Sequence, residues 1–338
     1  MTRDALRTLF HPFEIDAVAM PATDAAVLFL GAEPGFHPPT GFPAAITTVQ
    51  GFRPSFLRLQ REGRKVLPQA EGKGFDAALV LASRPRGESE LRVADALDRV
   101  RPGGLIMIGG GKDEGIGPLK KSVASLVDVD GHLPKHHGVA FWLARPDDTA
   151  GAVASLREGN AGGLVEDRFH AAPGMFSHDR IDPGSRLLAQ HLPADIKGAV
   201  ADFCAGWGYL SSVVAERFPA IASLDLYEAD FASLEAARRN LAEAAVPARF
   251  FWHDLAAEDV TAKYDVIVMN PPFHTSREAD PQLGQGIIRA ASKALRRGGR
   301  LFLVANRQLP YEKAIAEAFS EQGQLVEDGR FKVLFGRR

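Results

Sequence analysis

One pattern occurs twice along this chain: a short apolar, β-branched run, a helix, a Gly-Gly turn and a second apolar run. The first copy is Phe75–Leu81, a helix over about 89–100, Arg101-Pro102-Gly103-Gly104, and Leu105–Gly109. The second is Tyr264–Met269, a helix over 282–297, Gly298-Gly299, and Arg300–Ala305. Runs of this kind, without polar alternation, read as strands buried on both faces, as parallel strands are when helices connect them. The repeat therefore predicts an α/β fold made by duplicating one Rossmann-like unit. A chain of 338 residues is long enough for about two domains. The stretch 145–163, with Pro146, Asp147, Asp148 and several glycines, reads as the linker. That places the domains at 1–158 and 159–338.

The copies differ where the first run ends. The second copy continues into Asn270-Pro271-Pro272-Phe273, and the first into Ala82-Ser83-Arg84-Pro85-Arg86. Neither proline can donate to a sheet ladder, so the strand stops there. Asn270 is left at the carboxyl end of a central strand, the edge at which open α/β sheets bind ligands. The Asn270 side-chain carbonyl and the Pro271 backbone carbonyl are two acceptors that can hold an amino group by its hydrogens. Phe273 offers a flat face to a base or other planar group. A strand-ending turn with a core Phe is the plainer reading of these four residues taken alone. The first copy lacks this clamp and has no glycine-rich first loop beyond Gly31 and Gly35, so it reads as a catalytically silent copy.

Earlier strands of the second copy supply a series. The run from Gly198 to Asp202 is a strand, and Phe203-Cys204-Ala205-Gly206-Trp207-Gly208 is a glycine-bearing loop opening a helix from Tyr209. A carboxylate before that loop would repel a pyrophosphate and suits a cationic ligand, such as the amino-acid end of S-adenosylmethionine. The next strand ends at Glu228, placed to bind the two hydroxyls of a ribose. Asp225 competes for that role but falls inside the strand. The third strand ends at Asp254, placed to accept from an adenine amino group. Asp202, Glu228, Asp254 and Asn270 thus close four successive strands.

Composition narrows the class. The 40 basic and 42 acidic side chains nearly balance, so no general nucleic-acid coat exists and any RNA contact must rest on local clusters. The single cysteine permits no intrachain disulfide and fits a reducing cytoplasm. No run of apolar residues is long enough to span a membrane. His132, His136 and His137 lie close together, but no Cys or carboxylate completes a metal-ligand spacing, so no metal is expected. The Arg-rich stretch from Phe52 to Lys65 reads as a solvated helix face.

With these residues in hand, the sequence resembles the class I S-adenosylmethionine methyltransferases, and more narrowly the RsmC family of small-subunit ribosomal RNA guanine-N2 methyltransferases. The matching pieces are Pro173-Gly174-Met175-Phe176-Ser177, Asp182-Pro183-Gly184-Ser185, Asn270-Pro271-Pro272-Phe273-His274, Ala305-Asn306 with Leu309-Pro310-Tyr311, and Gly329-Arg330-Phe331-Lys332-Val333. They cover most of residues 164–335. The resemblance implies two tandem methyltransferase domains with a degenerate N-terminal one. It implies that Asp202, Cys204, Ala205, Gly206 and Gly208 line the methionine end of S-adenosylmethionine, that Glu228 binds its ribose, and that Asp254 and Leu255 meet its adenine. Asn270, Pro271, Pro272 and Phe273 would form the catalytic motif, with Asn270 also beside the cofactor. Phe176, Phe273, His274, Arg307, Arg330 and Lys332 would contact a substrate that is ribosomal RNA or the small ribosomal subunit. The family loop reads Asp-x-Gly-x-Gly-x-Gly, and here Cys204 replaces the first glycine while Trp207 fills a position that is usually small. Two other readings stay open: methylation of a glutamine side-chain amide, and a non-catalytic RNA-binding protein.

Overall fold

The computed structural model describes residues 3–43, 45–272 and 281–338. The chain forms two compact units, Met1–Gly162 with Ala172–Gly174, and Gly163–Ala171 with Met175–Arg338.

The first unit contains α1 (Asp4–Glu14), β1 (Val27–Leu30), β2 (Ile46–Val49), α2 (Arg53–Arg61), β3 (Lys65–Leu67) and β4 (Phe75–Leu81). It continues with α3 (Arg86–Arg99), β5 (Val100–Gly111), α4 (Ile116–Ala124), β6 (Gly131–Lys135), β7 (Gly138–Ala144) and α5 (Ala150–Glu158). The second unit begins with a small hairpin, β8 (Leu164–Val165) and β9 (Phe169–His170), and then α6 (Pro183–His191). Its main body is β10 (Gly198–Phe203), α7 (Tyr209–Arg217), β11 (Ile221–Glu228), α8 (Phe231–Asn240), β12 (Ala248–Trp252) and β13 (Tyr264–Met269). It closes with α9 (Pro281–Ala294), β14 (Leu295–Asn306), α10 (Tyr311–Ala318), β15 (Glu321–Glu327) and β16 (Phe331–Arg337).

The duplication is complete at the level of topology. The first sheet runs β3-β2-β1-β4-β5-β7-β6 and the second β12-β11-β10-β13-β14-β16-β15. In each, the first five strands are parallel and the last two pairings are antiparallel, so only β7 and β16 run against the rest of their sheets. Each sheet carries a separate apolar cluster on either face, which is why its central strands read as unbroken apolar runs.

Three stretches depart from the sequence expectation. The supposed linker contains α5, whose Ala152, Val153 and Leu156 are buried in the first core. Flanking glycines and aspartates masked that apolar face. The sequence from Tyr311 reads as one helix to Gln322, but α10 stops at Ala318 and residues 321–327 form an edge strand with a largely exposed face. Such a strand has no buried alternation to read. The third departure is β2 and β3: the four β-branched residues of β2 carry a strand signal that the Pro- and Gly-rich stretch before them hides, and β3 has only three residues.

In the first unit the position above Gly31, just past β1, is filled from within. A Cβ at Gly31 would fall 2.3 Å from a guanidinium nitrogen of Arg92. Arg92 Nη1 donates to the Leu81 carbonyl at 2.7 Å, and Nη2 pairs with Glu88. The second unit has glycines and an open cleft at the corresponding place. Elsewhere in this unit a Cβ at Gly284 of α9 would fall 2.0 Å from the hydroxyl oxygen of the fully buried Tyr311. Substituting Gly284→Ala should therefore overpack this seam and lower unfolding stability by about 1–3 kcal/mol, which urea denaturation will measure.

Candidate functional site

Strand register builds the site. Phe203 of β10 lies opposite Tyr227 of β11 on one side and Met269 of β13 on the other. One residue further on, Glu228, Cys204 and Asn270 therefore form a row across the carboxyl edge of three adjacent parallel strands. Strands lie about 4.8 Å apart, so the outer two backbones of the row are about 10 Å apart. Asp202 is the penultimate residue of β10, and Asp254 lies two residues beyond β12, which pairs with β11.

The loop from Cys204 to Gly208 turns away by positive φ. Cys204 has φ 63°, Gly206 55° and Gly208 90°. Cys204 thus keeps the left-handed conformation that a glycine would hold, as Gly31 does after β1 at φ 72°. For an L-residue this costs about 1–2 kcal/mol, so the substitution has been absorbed without losing the loop's path. Burial, together with the negative charges of Glu228, Asp202 and Asp254, pushes the Cys204 thiol well up, so it is a neutral wall and not a nucleophile. A Cβ at Gly206 would meet nothing within 4 Å, so there the loop backbone borders open space. At Gly208 a Cβ would come within 2.8 Å of Leu241, and there glycine lets α8 pack closely.

The acidic residues occupy different depths. Asp202 is fully buried; its Oδ2 accepts from Ser211 Oγ at 2.7 Å, tying the two ends of the loop, and its Oδ1 has no hydrogen-bond partner among the described residues. Burial pushes its pKa up to about 7, with the nearby Glu228 charge adding to the rise against the Ser211 hydrogen bond. The Glu228 carboxylate accepts backbone N–H from Gly206 at 2.7 Å and from Ala229 and Asp230 at 2.8 Å each. Burial still raises it to about 7. With three of about four acceptor sites filled, its clearest role is to hold the loop, with limited capacity left for a hydroxyl. Asp254 Oδ1 accepts from Ala256 N at 3.0 Å, and the Leu255 side chain is in the core. The competing Asp225 is fully buried and taken by Arg249, at 2.8 and 2.6 Å, and by the Tyr264 hydroxyl at 2.6 Å. It is a strand-pairing residue and not part of the cleft.

Phe176, Asp182, Ser185, Cys204, Ala205, Gly206, Trp207 and Asn270 line one cleft of about 400 Å³, counting its open mouth. Phe176 is 56% exposed at that mouth. Its carbonyl accepts from the indole N–H of Trp207 at 2.9 Å. Trp207 itself is buried among Val165, Phe169, Ile181 and Ala236, so it packs the segment before α6 against the loop. Asn240 adds to this: its side-chain amide bonds both backbone groups of His170 and the Trp207 carbonyl. Nothing in the sequence pattern marked Trp207 or Asn240 for this role.

Asn270 is half-buried. Its Nδ2 donates to Asp182 Oδ2 at 2.9 Å and to Ser185 Oγ at 2.8 Å, and its Oδ1 has no hydrogen-bond partner among the described residues. Pro271 is buried and Pro272 exposed beyond it. Phe273 and His274 lie outside the described residues.

The basic residues separate. Lys332 is buried and paired with Glu312, which withdraws it from the phosphate contact expected of it. Its neighbours stay on the surface: Arg307 is exposed and loosely paired with Glu327 at 3.5 Å, and the Arg330 guanidinium sits 5.6 Å from the Phe331 ring centre. Among the described residues no group of three or more His, Cys, Asp or Glu side chains could hold a metal ion, and no helix is long and apolar enough to cross a membrane.

The arrangement fits a cationic ligand. A buried carboxyl with an unpartnered oxygen lies under a loop whose backbone borders open space, and an amide acceptor stands at the end of the same row. Residues 166–335 match the methyltransferase small domain family. The ribosomal RNA small subunit methyltransferase C of Enterobacter sp. (strain 638) is 39% identical over 161 residues, 48% of this chain and 46% of that protein. The protein of the same description from Psychromonas ingrahamii is 28% identical over 270 residues, 79% of this chain and 76% of its own. In the first of these matches the chain spans about half the relative's length. In fold, the chain is similar to a solved T. thermophilus 16S rRNA N2 methyltransferase (RsmC) in complex with AdoMet and guanosine. The TM-score is 0.77 at 24% identity, covering 99% of this chain and 91% of that one.

The two raised carboxyls give a pH signature. Their folded pKa of about 7 exceeds the ordinary 3.8 and 4.5, so the folded state holds more protons between about 4 and 7. Stability should fall as pH rises through that window, and Asp202→Asn should remove a large part of the slope. Below it, Asp195 and Asp265, held down by Arg300 and Arg296, lose their contribution as pH falls. Urea midpoints from pH 4.5 to 8 will check the sign.

Proposed function

The chain belongs to the methyltransferase small domain family, and from that premise we propose that it transfers a methyl group from S-adenosylmethionine to the exocyclic N2 amine of a guanine in small-subunit ribosomal RNA, in the cytoplasm. The observation that carries the reading is the direction of the Asn270 amide. Both its hydrogens are engaged by Asp182 and Ser185, which leaves an oxygen, not an N–H, for an incoming amine.

When bound, the cofactor supplies an activated methyl on a sulfonium, so the hard chemistry is its own. The chain's residues bind and orient. Gly206 and its open backbone, with the buried Asp202 beneath, receive the amino-acid end. Glu228 and Asp254 lie toward the ribose and adenine. Asn270 Oδ1 and the Pro271 carbonyl take the two amine hydrogens, aim the nitrogen, and favour the positive charge that grows on it. The exposed Phe176 ring, with Phe273, supplies a face for the base. A paired guanine could not reach such a cleft, so the nucleotide is single-stranded or turned out of its helix. Arg307 and Arg330 are the cations left to meet phosphate. The first unit, with Arg92 over Gly31 and no Asn at its strand end, acts as a non-catalytic copy, which supports the domain division at about residue 159.

The test is methyl transfer from labelled S-adenosylmethionine to isolated small ribosomal subunits or their RNA, read by nucleoside mass spectrometry, with and without ribonuclease. N2-methylguanosine is expected; label in protein that survives ribonuclease would point instead to a glutamine amide. Replacing Asn270→Ala should abolish transfer while calorimetry still finds the cofactor bound. Retained turnover would remove Asn270 from its role.

A further inference from the structure

We propose that Asp182 and Ser185, at the start of α6, are positioning residues that fix which way the Asn270 amide faces. The proposal deepens the function read above and rests on it for its catalytic meaning.

An asparagine amide can turn over, exchanging its acceptor and donor ends, and the two orientations have nearly the same shape. Only one of them presents an oxygen to an amine. What decides is the partner behind it. Asp182 Oδ2 lies 2.9 Å from Asn270 Nδ2, and a carboxylate oxygen only accepts. Turning the amide over would set two acceptors against each other with no hydrogen between them. Ser185 Oγ, 2.8 Å away, takes the second contact of the same Nδ2. Both hydrogens of the amide are engaged by residues of the same cleft wall, so the amide is aimed before a substrate arrives.

The aiming residues are themselves fixed. Asp182 is the N-cap of α6, and the same Oδ2 accepts from Ser185 N at 2.8 Å. Pro183 stands at the first helical position, where its missing N–H leaves nothing unsatisfied. Gly184 permits close packing: a Cβ there would fall 3.0 Å from Asp182 Oδ2 and 3.1 Å from the Phe331 ring. Ser185 is buried. Each residue of Asp182-Pro183-Gly184-Ser185 thus has a physical task, and together they turn a helix start into a mould for one side chain.

Asp182→Ser, Asp182→Asn and Ser185→Ala separate aiming from capping. Serine keeps the helix cap but is too short to reach Asn270. Asparagine caps as well and can return an acceptor to it. The side-chain NH2 resonances of Asn270, assigned by their loss in Asn270→Asp, report the orientation directly through exchange with solvent. Slow exchange is expected in the native chain and in D182N, and faster exchange in D182S and S185A. Turnover on ribosomal subunits should fall about 10- to 100-fold in D182S and recover most of that loss in D182N. Cofactor affinity and melting temperature should hold in both. A D182S loss that D182N does not recover, or that cofactor affinity and melting temperature follow, would reduce Asp182 to a cap and overturn the proposal. So would rapid exchange of the Asn270 amide in the native chain. A native chain with a protected amide and no methyl transfer would support the aiming and sink the function read into the cleft.

Discussion

The parallel pairing of β10 with both its neighbours is the constraint on which the site depends. It puts Glu228, Cys204 and Asn270 in one row, and no loop conformation could do this as reproducibly, since strand spacing is set by backbone hydrogen bonds. Each chain of the row then leaves the sheet differently: Glu228 through a turn capped by its own carboxylate, Cys204 through a left-handed residue, Asn270 through two prolines. The loop stays open because Gly206 has nothing over it, and the cleft has a wall because Trp207 holds the Phe176 backbone. A slip of one residue would turn every one of these side chains to the other face.

Two buried acids in this unit show how partners decide a carboxylate's part. Asp225 and Asp202 are both fully buried, on neighbouring strands. Asp225 accepts from Arg249 through both its oxygens and from Tyr264, and it is satisfied. Asp202 accepts from one hydroxyl, keeps an oxygen without a partner, and has its pKa raised. The first arrangement joins strands. The second leaves a demand for positive charge beneath the loop, which is the property a cationic cofactor would meet and a finished structural network would not have.

The sequence was informative where a residue's task is local. The strand runs, the Gly-Gly turns, the proline stop after Asn270 and the acidic strand ends are each short-range signals, and the sheets follow from them. The edge strand Glu321–Glu327 was obscured because it has no buried alternation, and the helix Ala150–Glu158 because flanking glycines and aspartates hide its apolar face. Lys332 read as a surface cation because charge is visible in sequence and burial is not; its strand buries it beneath the more exposed Glu312. Trp207 looked like an intrusion into a glycine loop, and only the fold shows that its ring leaves the loop to pack on Phe169 and Tyr209. The Asp182–Asn270 contact joins positions 88 apart, which no local pattern can announce.

Arg92 closes the strand-end position of the first unit. Its guanidinium, anchored by Leu81 and Glu88, occupies the place above Gly31 with a tethered cation of the unit's own. A covalently attached occupant cannot be diluted away, so the fold around it stands at full occupancy in any solution. Stabilisation by a dissociable ligand follows the logarithm of its concentration, and a place filled by the chain's own side chain gains nothing that way. The two halves, alike in strand order, therefore differ in what fills the position past their first central strand: a tethered guanidinium in one, open space in the other.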